Sequence, residues 1–188
     1  CLVGSEMCIR DSYYIDQQHA ERVADMAATL ADQLHQQWNL ASFEGLAMLR
    51  SGALLHELGL LIEYKNHHHH GAYIISHAEL PGFTRAQQQL LMALVYNHRA
   101  DIHKEILSKQ TMTSVLLAVR LTRLLRLSVI LSMRRRHEVL PEVQITAQAE
   151  ALTLTLPEGW LDHHPLMRAE LEQEMLYQQQ AGWQLAIE

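Results

Sequence analysis

The sequence is nearly free of cysteine, because Cys1 and Cys8 lie at its very start and the rest of its 188 residues has none. A body without cysteine has no disulfide framework, which is compatible with a cytoplasmic protein. Long uncharged apolar runs are also missing, since the most apolar segment, 115–131, is interrupted by three arginines. With 48% hydrophobic residues, we expect a soluble globular protein with no membrane partner.

Motifs that bind phosphates through backbone amides are missing as well, because the eight glycines form no glycine-rich loop. The sequence also contains no internal repeat and no low-complexity linker. The chain is long enough for one substantial core and a smaller appended unit.

Charge is distributed unevenly along the chain, whose formal net charge is −6. Residues 13–136 hold 13 Lys and Arg against 10 Asp and Glu, whereas residues 137–188 hold only Arg168 against nine carboxylates. The first part would attract a polyanionic ligand and the second part would repel it. Two differently solvated surfaces explain the same pattern without any ligand.

Residues 1–12 differ from the remainder, because they lack the Leu, Ala and Gln periodicity that begins near Tyr13. They resemble a translated sequencing-adaptor tail, and we expect them to be a non-native addition outside the fold. Since the chain begins without Met and enters a helix at once, we expect a C-terminal fragment of a longer protein.

Apolar residues recur every three or four positions through residues 13–136, which predicts an all-helical domain. Asp16, Ser42 and Thr84 mark helix starts, since their side chains cap helices, and Thr84 begins a segment that resembles a capping box. The predicted helices cover residues 16–38, 42–62, 68–79, 84–98, 103–107 and 113–135.

After Pro141 the period of the apolar residues changes to two, which is typical of strands. Residues 137–188 are predicted to form a small β-β-α-β antiparallel unit, with the first two strands joined near Ala149 and Glu150. About fifty residues are too few for strong independent stability, so this unit should dock on the helical domain. The predicted fold class is therefore α+β.

Polar groups that can bind metals interrupt the apolar helices at His19, at the adjacent pair His56 and Glu57, and at His98. Burying such groups without partners is costly. Packed helices could bring these imidazoles and the carboxylate to one divalent cation, which could activate water for attack on a phosphate ester. Spacing alone favours the simpler interpretation that each group is satisfied by its neighbours.

His19-Ala-Glu-Arg-Val-Ala, followed 37 residues later by the His56-Glu57 pair, resembles the HD-type phosphohydrolase fold. That family places a first histidine on one helix and a His-Asp pair on a later one, and an Asp from a still later helix closes the metal site. This chain has Glu57 where the family has Asp, and its segment 124–133 holds no carboxylate. The resemblance thus implies a degenerate HD-like domain without a metal.

Five further segments occur in one order: Leu54-Leu-His-Glu-Leu-Gly-Leu, His68-His-His-Gly-Ala-Tyr-Ile-Ile75, Leu80-Pro-Gly-Phe83, Tyr96-Asn-His-Arg99 and Leu124-Leu-Arg-Leu127. Together they resemble the C-terminal half of the exopolyphosphatase / guanosine-pentaphosphate phosphohydrolase (Ppx/GppA phosphatase) family. The closing segment, 182–188, is also similar to the usual end of that family. The resemblance covers about residues 13–188.

The resemblance implies a bacterial parent enzyme that removes terminal phosphate from polyphosphate or guanosine pentaphosphate. Its catalytic half would be actin-like, with Mg²⁺ beside the carboxylate that activates water, and this fragment would carry no cofactor and no catalytic residue. The expected partners are polyphosphate or guanosine pentaphosphate, the actin-like domains of the same chain and a second copy in a homodimer, with no nucleic acid. The fragment would bind substrate and discriminate chain length without significant hydrolysis of its own.

A polyphosphate chain needs a row of cations, and Arg binds phosphate oxygens through two donors at once. The candidates are Arg99, Arg120, Arg123 and Arg126. The last three share one sector of an apolar helix, so they meet solvent, pair with acids such as Glu57, or line a groove. Pairing or solvent is favoured over contact with a ligand.

The run His67–His70 cannot share one helix face, so at most two of its members should face a site. His68 and His70 match histidines that recur in the family and join the candidate polyphosphate ligands. His67 and His69 are expected on the surface. Near neutral pH some of these rings would protonate and add positive charge.

Two other functions stay open. One is a self-sufficient HD-type metal-dependent phosphohydrolase that uses the four metal-binding groups named above. The other is a regulatory or interaction module whose histidines and arginines are structural. In that module, charge reversal at Arg120 and Arg123 would destabilise the fold without changing ligand affinity.

Overall fold

The structure, a computed structural model, describes residues 16–40, 43–134 and 142–188. The tail 1–12, the expected cap Ser42 and the break at Pro141 lie outside these residues. The first part of the chain, up to residue 134, contains α1 (Gln17–Gln33), α2 (Phe43–Leu55), a 3-10 helix (Leu58–Leu61), α3 (His67–His77), α4 (Arg85–Asn97), α5 (Lys104–Lys109) and α6 (Val115–Leu131). The second part, residues 142–188, contains β1 (Gln144–Gln148), β2 (Ala151–Thr155), a 3-10 helix (Trp160–His163), α7 (Pro165–Gln180) and β3 (Leu185–Ile187). The α+β class is confirmed.

Side-chain caps explain several helix starts. Asp16 accepts a hydrogen bond from the amide three residues later at 3.0 Å and caps α1 as predicted. Thr84 and Gln87 form the predicted capping box of α4, since each side chain accepts from the other's amide, at 3.2 and 2.8 Å. Ser114 caps α6 by accepting from the Leu117 amide at 3.1 Å.

The second helix is shorter than predicted, because α2 ends at Leu55 and the chain continues into a 3-10 helix. His56 and Glu57 therefore lie between the two helices. A Cβ on Gly59 would lie 2.0 Å from the carbonyl oxygen of His67, so only glycine lets the 3-10 helix approach α3 this closely. This contact places the His-Glu pair next to the first turn of α3.

Within the described residues, β1, β2 and β3 form a sheet in that order. β1 and β2 are antiparallel and join at Ala149 and Glu150 as predicted. β3 pairs with β2 in parallel, with Leu185 opposite Leu152, so the sheet is mixed rather than antiparallel throughout. The reason is the position of α7 between β2 and β3, because a crossover of this kind returns the chain in its original direction.

The sheet and the helices share an apolar core. Buried side chains of α1, α2, α4 and α6 pack against one another and meet inward residues of the sheet, such as Ile145 and Leu154, and of α7. Gln33 attaches the sheet to α1, because its side chain donates to the Val143 carbonyl at 3.0 Å and accepts from the Ile145 amide at 2.8 Å. The expected docking of the small unit on the helices is therefore observed.

Nowhere in residues 16–40, 43–134 and 142–188 is a helix both long enough and apolar enough to cross a bilayer.

Candidate functional site

Buried polar groups of α1 and of the residues that follow α2 meet at one place. His19 extends from α1, and His56 and Glu57 follow α2; all three residues are at most 8% exposed. Their possible ligand atoms lie within 4.8 Å of one another, and His19 Nε2 is 3.9 Å from Glu57 Oε1. Two imidazoles and a carboxylate at these distances are a donor set that a divalent transition metal can use.

His98, the residue that ends α4, lies beside this cluster, with its ring centroid 5.3 Å from that of His56. Its Nδ1 donates to the Val95 carbonyl at 2.7 Å, so Nε2 carries the lone pair of the neutral ring. That Nε2 is buried and has no hydrogen-bond partner among the described residues. Burial, reinforced by His56 and His67, holds the pKa of His98 well below its usual value, so the ring is neutral at pH 7.

The histidine run divides into an inner and an outer pair. His67 and His68 are 6% and 5% exposed, so the expectation that His67 lies on the surface is wrong. His69 is exposed, and His70 is half-buried with its Nε2 3.2 Å from the exposed Glu63 carboxylate. Consecutive residues of a helix are about 100° apart, so two neighbours of the first turn can both face the core.

A cavity of about 460 Å³ opens beside these groups. Its buried end consists of His19, His56, Glu57 and His98. Further lining residues come from the 57–66 segment and the start of α3, from the residues after α4, from α6 and the residues after it, and from α7: Leu60, Tyr64, His67, Arg99, Ala100, Arg126, Val129, Ile130, Met133, Glu170, Gln173, Glu174 and Tyr177.

The wall formed by α7 was not anticipated from the sequence. Glu170, Gln173, Glu174 and Tyr177 occupy positions i, i+3, i+4 and i+7 of α7 and share one helix face. This spacing can be recognised in the sequence, but nothing in the sequence indicates that this face of α7 turns toward the histidines. Carboxylates therefore reach the cavity from α7, whereas the part of α6 that lines it is apolar apart from Arg126.

Arg126 also lines the cavity, but its donors are used within the protein. Its Nε and Nη2 donate to the Glu174 carboxylate, both at 2.7 Å, and further bonds reach the Asn97 and Ala100 carbonyls at 2.7 and 2.8 Å. The Arg126 and Glu174 side chains are 1% and 3% exposed. Arg126 therefore joins α6 to α7 and to the end of α4.

Arg123 lies fully buried between the helices and the sheet. It donates to the Gln178 side chain at 2.7 Å and to the carbonyls of Glu150 and Gln184, both at 2.6 Å. Burial lowers the pKa of Arg123 to about 10, so the guanidinium still carries its charge at pH 7.

Arg120 continues the same row on α6. It pairs with the Glu150 carboxylate and donates to the Trp38 carbonyl at 2.9 Å. Pairing with acids, one of the two alternatives that the sequence favoured, is observed for Arg120 and Arg126. Their partners are Glu150 and Glu174 rather than Glu57.

Arg99 differs from these three arginines. It is half-buried in the cavity wall, and its Nη1 lies 3.1 Å from His67 Nδ1. That Nδ1 also faces the Tyr64 carbonyl at 2.8 Å, to which it donates, so it is a poor acceptor for Arg99. No carboxylate in the described part of the chain lies within 4.0 Å of the Arg99 guanidinium.

Comparison with known proteins identifies the family. The sequence profile of Ppx/GppA phosphatase, domain III, matches residues 6–175. Proteins named guanosine-5'-triphosphate,3'-diphosphate pyrophosphatase are 48% identical over 171 residues in Aeromonas salmonicida and 42% identical over 177 residues in Pseudoalteromonas translucida. These matches cover 91% and 94% of the chain but 34% and 35% of the relatives, so the chain spans about a third of their length. The chain belongs to the Ppx/GppA phosphatase family, as its sequence motifs indicated.

Proposed function

We propose that the chain is the C-terminal, substrate-binding part of a cytoplasmic bacterial phosphohydrolase that acts on guanosine pentaphosphate or polyphosphate. Family membership supports the hydrolase class, and the names of the relatives support the guanosine substrate. Bond cleavage, and the Mg²⁺ that assists it, belong in this proposal to the two thirds of the relatives that the chain does not span. Pairing of two copies in the whole enzyme is part of the same proposal.

Arg99 carries the binding role. A half-buried guanidinium in a cavity wall, with no carboxylate within 4.0 Å among the described residues, can offer two parallel donors to phosphate oxygens. Arg120, Arg123 and Arg126 already donate to protein acceptors. They would therefore contribute positive potential rather than direct contacts with a polyphosphate chain.

Isothermal titration with polyphosphate at low salt tests this role. We expect the wild type and an Arg85→Gln control, which alters an exposed arginine outside the cavity, to bind equally. Arg99→Gln should bind about tenfold more weakly, and all affinities should fall as salt screens the charges. A wild type that binds no polyphosphate at low salt, or equal affinities of the two variants, would contradict the proposal.

A metal-dependent activity of the chain itself is the second candidate, favoured by the meeting of His19, His56 and Glu57. His56 has the tautomer of a metal ligand, because its Nδ1 donates to the Ala53 carbonyl at 2.7 Å and leaves the lone pair on Nε2. A divalent metal bound there would lower the pKa of a bound water and so supply a nucleophile for phosphate esters.

Metal analysis of protein purified without chelators decides the second candidate. Stoichiometric Mn, Fe or Zn that is lost in His56→Ala and retained in His70→Ala would support it. His70 is the matched control because it lies outside the cavity and bonds the exposed Glu63. A wild type that contains no metal after growth in metal-supplemented medium would eliminate this candidate.

A further inference from the structure

Two residues at the buried end of the cavity, His98 and Glu57, offer acceptor atoms. His98 Nδ1 is committed to the Val95 carbonyl, and the lone pair of Nε2 is buried without a partner among the described residues. Glu57, which lines the same end, adds carboxyl oxygens. A ligand group that contacts His98 Nε2 must therefore donate a hydrogen bond, because a buried acceptor left unpaired is costly.

The cavity also contains a donor and apolar surface. Arg99 supplies guanidinium N–H groups that suit phosphate oxygens. Leu60, Val129 and Ile130 line the cavity as well and offer contact to the faces of a flat ring. A volume of about 460 Å³ lies within the range of sites that hold small organic ligands, which is about 300 to 1,000 Å³.

Inorganic polyphosphate matches only the Arg99 end of the cavity, because its ionised oxygens are acceptors and would face the lone pairs of His98 and Glu57 at the buried end. The matching ligand has adjacent N–H donors on a planar ring at one end and phosphate at the other. Guanine has these donors in its 2-amino group and its N1–H.

We propose that this cavity binds a guanosine phosphate, with the 2-amino group donating to His98 Nε2, N1–H directed to Glu57 and the phosphates toward Arg99. This inference rests on the proposed function and deepens it, since it assigns the guanine base, which polyphosphate lacks, to the buried end of this cavity.

Titration calorimetry of the metal-free chain with three probes tests the inference. Guanosine diphosphate offers both donors, inosine diphosphate lacks the 2-amino group, and pyrophosphate lacks the base. We expect guanosine diphosphate to bind about tenfold more tightly than inosine diphosphate, since the latter leaves Nε2 unpaired, and pyrophosphate to bind most weakly.

The variant His98→Phe keeps a flat ring and removes the acceptor. It should bind the guanosine and inosine compounds equally, while its affinity for pyrophosphate stays unchanged. His68→Phe is the matched control, because His68 is also a buried histidine but does not line the cavity, and it should retain the preference. If His98→Phe does not fold, the comparison of the three probes on the wild type still tests whether the cavity recognises the 2-amino group.

Equal affinity of the wild type for all three probes would overturn the inference and leave phosphate binding, the proposed function, intact. No binding of these probes or of polyphosphate would overturn both. A preference for guanosine diphosphate that persists in folded His98→Phe would overturn the placement of the base at His98.

Discussion

His56, His67 and His98 share one tautomer, because each donates Nδ1–H to the carbonyl three residues earlier, at 2.7 to 2.8 Å. Each ring thereby presents Nε2 to its surroundings without the help of another side chain. The His98 ring centroid lies 5.3 Å from those of both His56 and His67, a spacing at which charged rings would repel one another. The fold therefore favours the neutral form of His98.

His68 gives this preference a measurable consequence for stability. Burial, with the nearby positive charges of His69 and Arg99, lowers the pKa of His68 from 6.5 to about 3. The unfolded chain binds a proton below pH 6.5 and the folded chain does not, so the stabilisation present above pH 6.5 is lost as pH falls toward 3. We expect the wild type to lose about 1 kcal/mol more unfolding free energy than His68→Gln between pH 7.5 and 5.5.

Urea denaturation of both proteins at the two pH values measures this difference. His77→Gln, which alters an exposed histidine at the end of α3, is the control and should behave like the wild type. If His68→Gln loses as much stability as the wild type on acidification, His68 is not the group that titrates.

At the scale of elements, α6 holds the second part of the chain through a row of arginines. Arg120, Arg123 and Arg126 reach the turn before β2, the residue before β3, and α7, through carbonyls and side chains. Arg suits this role because its planar group directs several donors to fixed acceptors at once. A buried guanidinium destabilises the fold when those acceptors are removed, because its charge is then left without partners.

The buried pair of Arg126 and Glu174 should therefore respond unequally to single and double substitution. Arg126→Met leaves the Glu174 carboxylate buried without its cation, and we expect a loss of about 3 to 5 kcal/mol. The double variant Arg126→Met/Glu174→Met removes both charges and should recover a large part of that loss. Arg168→Ala, which breaks an exposed pair with Asp162, should cost less than about 1 kcal/mol.

Chemical denaturation of these variants and of the single variant Glu174→Met gives the coupling free energy of the pair. A double variant that is as unstable as the sum of its single variants would show that the two charges do not depend on each other.

For the whole molecule, the sequence predicted local structure better than the meeting of distant segments. Asp16 and Thr84 mark helix starts through bonds within one turn, so they could be recognised from neighbouring residues. The parallel pairing of β3 and the approach of α7 to the cavity depend on the packing of remote segments, which local periodicity does not encode. The inward position of His67 likewise follows from the close contact at Gly59.

The shared core and the arginine row predict that both parts unfold together. The Arg123 guanidinium lies 5.5 Å from the Trp38 ring centroid and 5.7 Å from that of Trp183, so tryptophan fluorescence reports on this junction. We expect fluorescence and far-ultraviolet circular dichroism to give one coincident urea transition for the wild type. In Arg123→Ala the fluorescence change should come first, because the small unit is released before the helices melt. Coincident transitions in the variant would contradict this role of Arg123.

Binding without hydrolysis is the central property that we assign to this chain. Equilibrium dialysis against guanosine pentaphosphate with Mg²⁺ measures both parts at once, as ligand retained with the protein and as orthophosphate released. We expect retention that falls about tenfold in Arg99→Gln, and no orthophosphate above the protein-free control. Release of orthophosphate that disappears in His56→Ala, or no retention of the nucleotide by the wild type, would contradict this assignment.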